Sequence, residues 1–206
     1  MFSSTVLLMR NTNLFMYALI FTIYDCGFIP RCALELNDSG VVRYEKIKTL
    51  IADCKFGIHD ISRTDLDPRT RLPRFNMPYE LGIFIGARDF GQGKHRTKNC
   101  LILDKTRYRY QKFISDIAGQ DIQSHKNDIA KIITCTRDWL RSSSKRKTIP
   151  GGQEITRRYN VFKKDLPKIC KKTRIIMPEL TFNDYSQFVF EWLSSQQKTD
   201  PLNSVP

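Results

Sequence analysis

KFGIHDISRTDLDPRTRLPRFNMPYELGIFIGARDFGQGKHRTKNCLILD, residues 55–104, carries two apolar runs on either side of a polar loop and a helical segment. It opens on Lys55–Ile61, a short apolar run that closes on an acid and predicts a strand. A polar loop rich in Arg, Asp and Pro follows to Phe75. Pro78 then opens a helix over Tyr79–Ala87, because proline suits a first helical turn, where its missing N–H is not needed. Gly82 and Gly86 in that helix each cost roughly 1 kcal/mol against alanine, so close packing against a neighbouring element is expected there. Asn99–Leu103 reads as a second buried strand ending in Asp104.

Working outward, the same alternation continues. Leu14–Tyr24 is an eleven-residue apolar run behind Arg10. It is too short to span a bilayer, lacks a small-x-small cleavage site, and stops at Asp25-Cys26-Gly27, so it reads as a buried helix ended by glycine. Phe28–Leu36 reads as a strand broken by Pro30. Val42–Cys54 places Ile47, Leu50, Ile51 and Cys54 at helical spacing. Ile122 marks a short last strand, and Asn127–Ser142 is an amphipathic helix capped by Asn127-Asp128. Strands alternating with helices predict a parallel sheet covered on both faces, whose ligands bind beyond the carboxyl ends of the strands. The loop from Asp60 to Met77 leaves such an end.

Residues 91–174 hold 22 of the 34 Lys and Arg but only 7 of the 21 Asp and Glu, so the net charge of +13 belongs to the second half. A basic patch attracts phosphates, RNA, DNA or acidic membranes; a solvated surface is the plain alternative. Lys105–Lys112 (KTRYRYQK) interleaves cations and aromatics in a way that suits nucleic acid, and Arg107, close behind a strand end, could instead hold a nucleotide phosphate. The six cysteines form no C-x-x-C pair, which fits buried thiols in a reducing, cytoplasmic setting. Three scattered histidines give no zinc site.

The residues that could carry chemistry are Asp60, at the end of a strand, and Glu80, in the first turn of the next helix. In a parallel sheet both can face one crevice. A carboxylate there can hold ribose hydroxyls or stabilise positive charge at a sugar's anomeric carbon, which is most of what breaking an N-glycosidic bond requires. Each has a plainer role as well. A glutamate at the third helical position commonly reaches back to cap the helix, and aspartate commonly forms turns. His59, out of phase with Ile58 and Ile61, is expected to pack on a helix. Tyr79 is read as packing before stacking on a base. Arg63, Arg71 and Arg74 sit in a loop from which they could reach phosphates.

Asp60-Ile61-Ser62 followed by Asn76-x-x-Tyr79-Glu80-Leu81-Gly82 resembles the signature of the nucleoside 2-deoxyribosyltransferase-like family, related in fold to TIR domains. Lys98–Leu103 resembles the following core strand, and Phe113-Ile114-Ser115-Asp116-Ile117-Ala118-Gly119 a downstream F-D-I-x-G element. The likeness spans roughly residues 15–140; Thr5–Met9 stands where the first strand is expected, followed by the loop Arg10–Asn13. The resemblance implies a flavodoxin-like sheet and Glu80 as nucleophile or ribose-stabilising carboxylate, with Asp60 as a sugar or base contact. It implies substrate contacts from Ser62, Asn76, Tyr79 and Asp116. The implied substrate is a nucleoside, a nucleotide or NAD, without cofactor or metal, and a role as a bacterial antiphage defence effector follows the same likeness. The alternative is a non-catalytic nucleotide-sensing or nucleic-acid-binding module using the basic residues 91–174.

The expected organisation is thus an α/β domain over 1–142, a basic linker over 143–152, a helical extension over 153–197 and a disordered tail over 198–206. In the extension, Ile155, Tyr159, Phe162, Leu166 and Ile169 form one apolar stripe, and Tyr185, Phe188, Val189, Trp192 and Leu193 another. Both are read as packing against the domain, a second copy or a protein partner.

Overall fold

A computed structural model describes residues 5–8, 13–36, 38–67 and 69–199. Five strands, β1 Thr5–Leu8, β2 Ile29–Arg31, β3 Phe56–Asp60, β4 Asn99–Asp104 and β5 Gln123–Ser124, form one sheet in the order β2-β1-β3-β4-β5. Every adjacent pair is parallel. The helices are α1 Asn13–Asp25, α2 Arg43–Asp53, α3 Asn76–Phe90, α4 Ile129–Ser144, α5 Gly152–Thr173 and α6 Phe182–Thr199. This strand order, with helices on both faces, is the flavodoxin-like α/β fold, whose ligand crevice lies at the carboxyl ends of β1 and β3. The loop read over Arg10–Thr12 and the tail beyond Thr199 lie outside the described residues.

The two faces have separate cores. Helices α1 and α4 cover one, on Val6, Leu8, Phe56, Ile58, Leu101 and Leu103. Helices α2 and α3 cover the other, where Ile47, Leu50, Leu81 and Phe84 meet Leu7 and Ile102. Tyr110 joins this second core, so the Lys105–Lys112 segment turns one of its aromatics inward. A helix that is apolar all round must be buried on most sides, and α1 is from Met16 to Ile23, Leu14 in its first turn staying exposed: beyond it lie α5 and α6. Phe21 of α1 sits 5.5 Å from Tyr159 and from Phe162, and 6.0 Å from Trp192, while Tyr17 stacks on Tyr185 at 4.0 Å. Fully burying a side chain such as Phe21 contributes about 2–3 kcal/mol. The stripes of α5 and α6 are spent on α1.

Local signals account for the boundaries. Gly27, at φ +81°, ends α1 with Phe28 N–H donating to Ile23 O and Gly27 N–H to Tyr24 O, a left-handed helix stop. Arg146 donates to the Cys26 and Gly27 carbonyls and lies 4.7 Å from the Phe28 ring, so the basic segment before α5 is tied to the end of α1. Asp128 caps α4, accepting from Ala130 and Lys131 N–H.

Several readings change. The strand expected over Phe28–Leu36 is three residues long, Ile29–Arg31, and lies at the sheet edge, where Pro30 is tolerated at its centre. Helix α3 begins at Asn76, not at Pro78. Gly82 and Gly86 do not mark close packing: a Cβ added at either meets nothing within 4 Å. The tight approach is at Gly57 on β3, where a Cβ would stand 2.9 Å from Phe84 and from His59 Nε2. Among the described residues no helix is long and apolar enough to cross a membrane.

Candidate active site at the carboxyl edge of the sheet

Glu80 lies on the inward face of α3 with Met77, Leu81 and Phe84, and is 4 % exposed. Because α3 starts two residues earlier than Pro78, Glu80 is the fifth helical residue and lies too far in to cap the first turn; no side-chain bond caps this helix. Among the described residues its carboxylate makes no hydrogen bond and no ion pair. Burial raises its pKa above the ordinary value, and Arg43, at the start of α2, works against that rise. Its charge is also felt at Cys32, just beyond β2. Glu80 therefore sits between the α2 and α3 ends above the carboxyl edge of the sheet.

Asp60 ends β3 and alternates onto the opposite face from His59. Its Oδ1 accepts the Ser62 N–H at 2.8 Å, the turn read for an aspartate here. The same oxygen lies 3.6 Å from Nε2 of His125, which is fully buried. Nδ1 of His125 accepts the Asn127 N–H at 3.0 Å, which leaves the ring proton on Nε2, toward Asp60. At 3.6 Å this is an ion–dipole contact, longer than a hydrogen bond. Burial acts to raise the Asp60 carboxyl, but His125 and Ser62 outweigh it and hold the group below its usual value. The two carboxylates thus come to the edge from opposite sides, Asp60 from the α1/α4 face and Glu80 from the α2/α3 face, one held low and the other pushed up.

A third acid, Asp104, closes β4. Arg109 grips its Oδ1 through Nε at 2.9 Å and Nη2 at 2.7 Å, and the same Nη2 donates to Ile61 O at 2.9 Å. Arg109 Nη1 reaches Asp65 at 3.2 Å, and Lys105 pairs with Asp65 as well. This clamp fastens the β3–α3 loop to the end of β4. Burial raises the Asp104 carboxyl, and Arg109 opposes that rise. Arg109 is therefore structural, whereas Arg107 is exposed beside Tyr108, 5.8 Å from its ring.

The remaining candidates spread out. Ser62 is buried beside Asp60. Asn76 is exposed at the first position of α3, and Asp116 is exposed in a 3-10 turn, Ser115–Ile117. Tyr79 is 59 % exposed and tilts against Tyr44 of α2 at 6.1 Å, so it does not pack into the core. His59 packs edge-on against Phe84 at 5.1 Å, without a hydrogen-bond partner on either nitrogen, and burial depresses its pKa to about 3. His125 was missed in the sequence, because a lone histidine between Ser124 and Lys126 carries no motif. Only the strand pairing that sets β5 beside β4 reveals its partner.

Compared with known proteins, the chain matches no family model, no curated protein and no solved structure. Among the described residues no group of three His, Cys, Asp or Glu is placed to hold a metal ion.

Proposed function

We propose that the chain cleaves, or transfers a ribosyl group across, the N-glycosidic bond of a nucleoside, a nucleotide or NAD, with Glu80 as the key carboxylate. The observation that carries this reading is the state of Glu80: buried, without a hydrogen bond or ion pair among the described residues, too deep in α3 to cap it, and beside the carboxyl edge where flavodoxin-like sheets bind ligands. An acid kept in that condition costs stability, and functional sites are where such a cost is tolerated.

The C1′–N bond breaks with its electron pair leaving on the base, and positive charge develops across C1′ and the ring oxygen. Glu80 stabilises that charge, or adds to C1′ to give a ribosyl ester that water or a second base then displaces. Asp60, held ionised by His125 and Ser62, suits a ribose hydroxyl. The exposed Tyr44–Tyr79 pair offers a face for the base, and Arg107 a partner for phosphate. A cytoplasmic location and a role in antiphage defence belong to the same proposal. Incubating NAD and a panel of ribo- and deoxyribonucleosides with wild type and Glu80→Gln tests it: free base released by wild type alone supports the reading, and release at background by both rejects it.

A second reading, nucleic-acid binding, draws on α5. Lys163, Lys164, Lys168, Lys171 and Lys172 are exposed there, and among the described residues none makes an ion pair. Binding to RNA or DNA whose affinity falls steeply with salt, unchanged by Glu80→Gln, favours it.

A further inference from the structure

The sheet has one edge that is only half covered. β5 is two residues long and pairs with Leu103 and Asp104 alone, leaving Asn99–Ile102 of β4 without a neighbour on that side. The direction of each backbone group follows from bonds already made. Asn99 N–H donates to Lys55 O, and Leu103 O accepts from Ile61 N–H, so the odd-numbered residues of β4 turn their backbone toward β3. Asp104 O accepts from His125 N–H, so the even-numbered residues turn toward β5. Parallel register gives the Ile102 carbonyl to Gln123. Three groups then face the open edge: the N–H and C=O of Cys100 and the N–H of Ile102. A row of unpaired strand groups is a template for a further strand; Leu101 and Ile102 beside it are core residues, while Cys100 is partly exposed.

Those groups form the floor of a cleft of about 660 Å³. Arg88 of α3 walls one side, Cys135, Asp138 and Trp139 of α4 the other, and Gln120 and Asp121 close the end nearest β5. At the far end Asn99 Nδ2 donates to Ser143 Oγ at 3.0 Å. The open edge is four residues, roughly 13 Å at about 3.3 Å per residue. Burial, followed by Asp138 and also Asp121, raises the Cys135 thiol, with Lys131 opposing, so both carboxylates flank the α4 wall. Asp138, 59 % exposed, pairs with Arg137 at 2.8 Å, and Arg88 across the cleft pairs with Asp89, while Asp121 makes no ion pair among the described residues; the lip is left one carboxylate in excess on a chain of net charge +13.

We propose that this cleft receives an extended segment of a partner polypeptide, which adds to β4 as a strand and places a Lys or Arg side chain between Asp121 and Asp138. Main-chain hydrogen bonds to Cys100 and Ile102 give the affinity, and the acidic lip gives the preference. A second copy of this chain does not fit, because its own β4 edge is recessed between the same walls and two recessed edges cannot meet. A small ligand would leave the strand-spaced donors and acceptor unmatched. The site lies along the amino-terminal half of β4, apart from Glu80, so it stands independently of the proposed chemistry.

The test is a titration of ¹⁵N-labelled full-length protein with the acetylated, amidated pentapeptide Thr-Val-Lys-Val-Thr, beside the same peptide N-methylated at its edge-facing nitrogens. Before addition, the Cys100 and Ile102 amides exchange at least tenfold faster than those of Leu101 and Leu103. The parent peptide slows them and shifts their resonances at millimolar concentration; the N-methylated peptide binds at least tenfold more weakly. Cys100→Pro removes an N–H that β3 does not use and lowers parent-peptide affinity at least tenfold; should that variant not fold, the N-methylated peptide makes the same test on wild type. Asp138→Lys weakens binding by several-fold. Equal affinity for both peptides, no shift at millimolar peptide, or Cys100 and Ile102 amides already protected in the free protein overturns the proposal, as does protection that grows with protein concentration and signals a second copy.

Discussion

His125 Nε2 stands 3.6 Å from Asp60 Oδ1, and both side chains are buried at the carboxyl end of the sheet. Phe15 of α1 meets the His125 ring edge-on at 5.3 Å. A turn residue after β5 thereby helps to hold down the carboxyl of the last residue of β3, two strands away, against the burial that raises it. His125→Phe keeps the ring and removes the Nε2–H, leaving burial to raise the Asp60 carboxyl with less opposition. A carboxyl held low contributes stability above its unfolded value near 3.9 and loses it as pH falls through the folded one. The Asp60 ¹³C carboxyl resonance is therefore expected to titrate at higher pH in the variant, with stability at pH 7 lower by about 1–3 kcal/mol. An unchanged titration would show that His125 does not govern Asp60.

Arg109 is expected to be worth more to the fold than any exposed arginine. Arg109→Met abandons Asp104, whose side chain is almost fully buried, and should cost about 3 kcal/mol in urea unfolding. Asp104→Asn added to it removes the stranded charge and recovers part of the loss. A strictly additive double-mutant cycle would contradict the clamp.

His59 predicts acid sensitivity. Its folded pKa of about 3 lies below the unfolded value of 6.5, so the unfolded chain binds the proton first and stability falls as pH drops below 6.5. Between pH 7 and pH 5 this amounts to about 2 kcal/mol. His59→Leu is expected to abolish that part of the decline, read from urea midpoints at the two pH values; parallel curves for both proteins refute it.

Gly82 is exposed in the middle of α3, and a Cβ there meets nothing. Gly82→Ala should therefore stabilise by about 0.5–1 kcal/mol and raise Tm. A fall in Tm would mean that this position needs its glycine for a reason outside helix packing.

Periodicity made much of the fold legible. The runs at Phe56–Asp60 and Asn99–Asp104, and the stripes of α2, α4, α5 and α6, each bury a face whose spacing is written in the chain. Leu14–Tyr24 could be read as buried because nothing apolar on every side can face water, yet its partners α5 and α6 lie more than a hundred residues away, and nothing local announces them. The short last strand, expected at Ile122, spans Gln123–Ser124, one residue on, because two residues carry no period to place it. At the site, Asp60 and Glu80 stood out as acids at element ends, but the capping alternative turned on where α3 begins, and a proline at its third position drew that boundary two residues too late. His125, Asp104 and Arg109 act through contacts between strands, which no linear spacing encodes.

If Glu80 serves the proposed chemistry and not the fold, losing its charge removes activity without removing stability. A carboxyl raised by burial favours its proton in the folded chain, so it destabilises as pH rises past the unfolded value, and Glu80→Gln should be neutral to stabilising at pH 7. The direct measurement is the rate of base release from NAD and nucleosides at pH 7 by wild type and Glu80→Gln, with Tm recorded on the same samples. A rate at least 10³-fold lower in a variant that melts no earlier is the expected result. Equal rates, or no release by either protein while Glu80→Gln melts several degrees earlier, would contradict it and return Glu80 to a purely structural role.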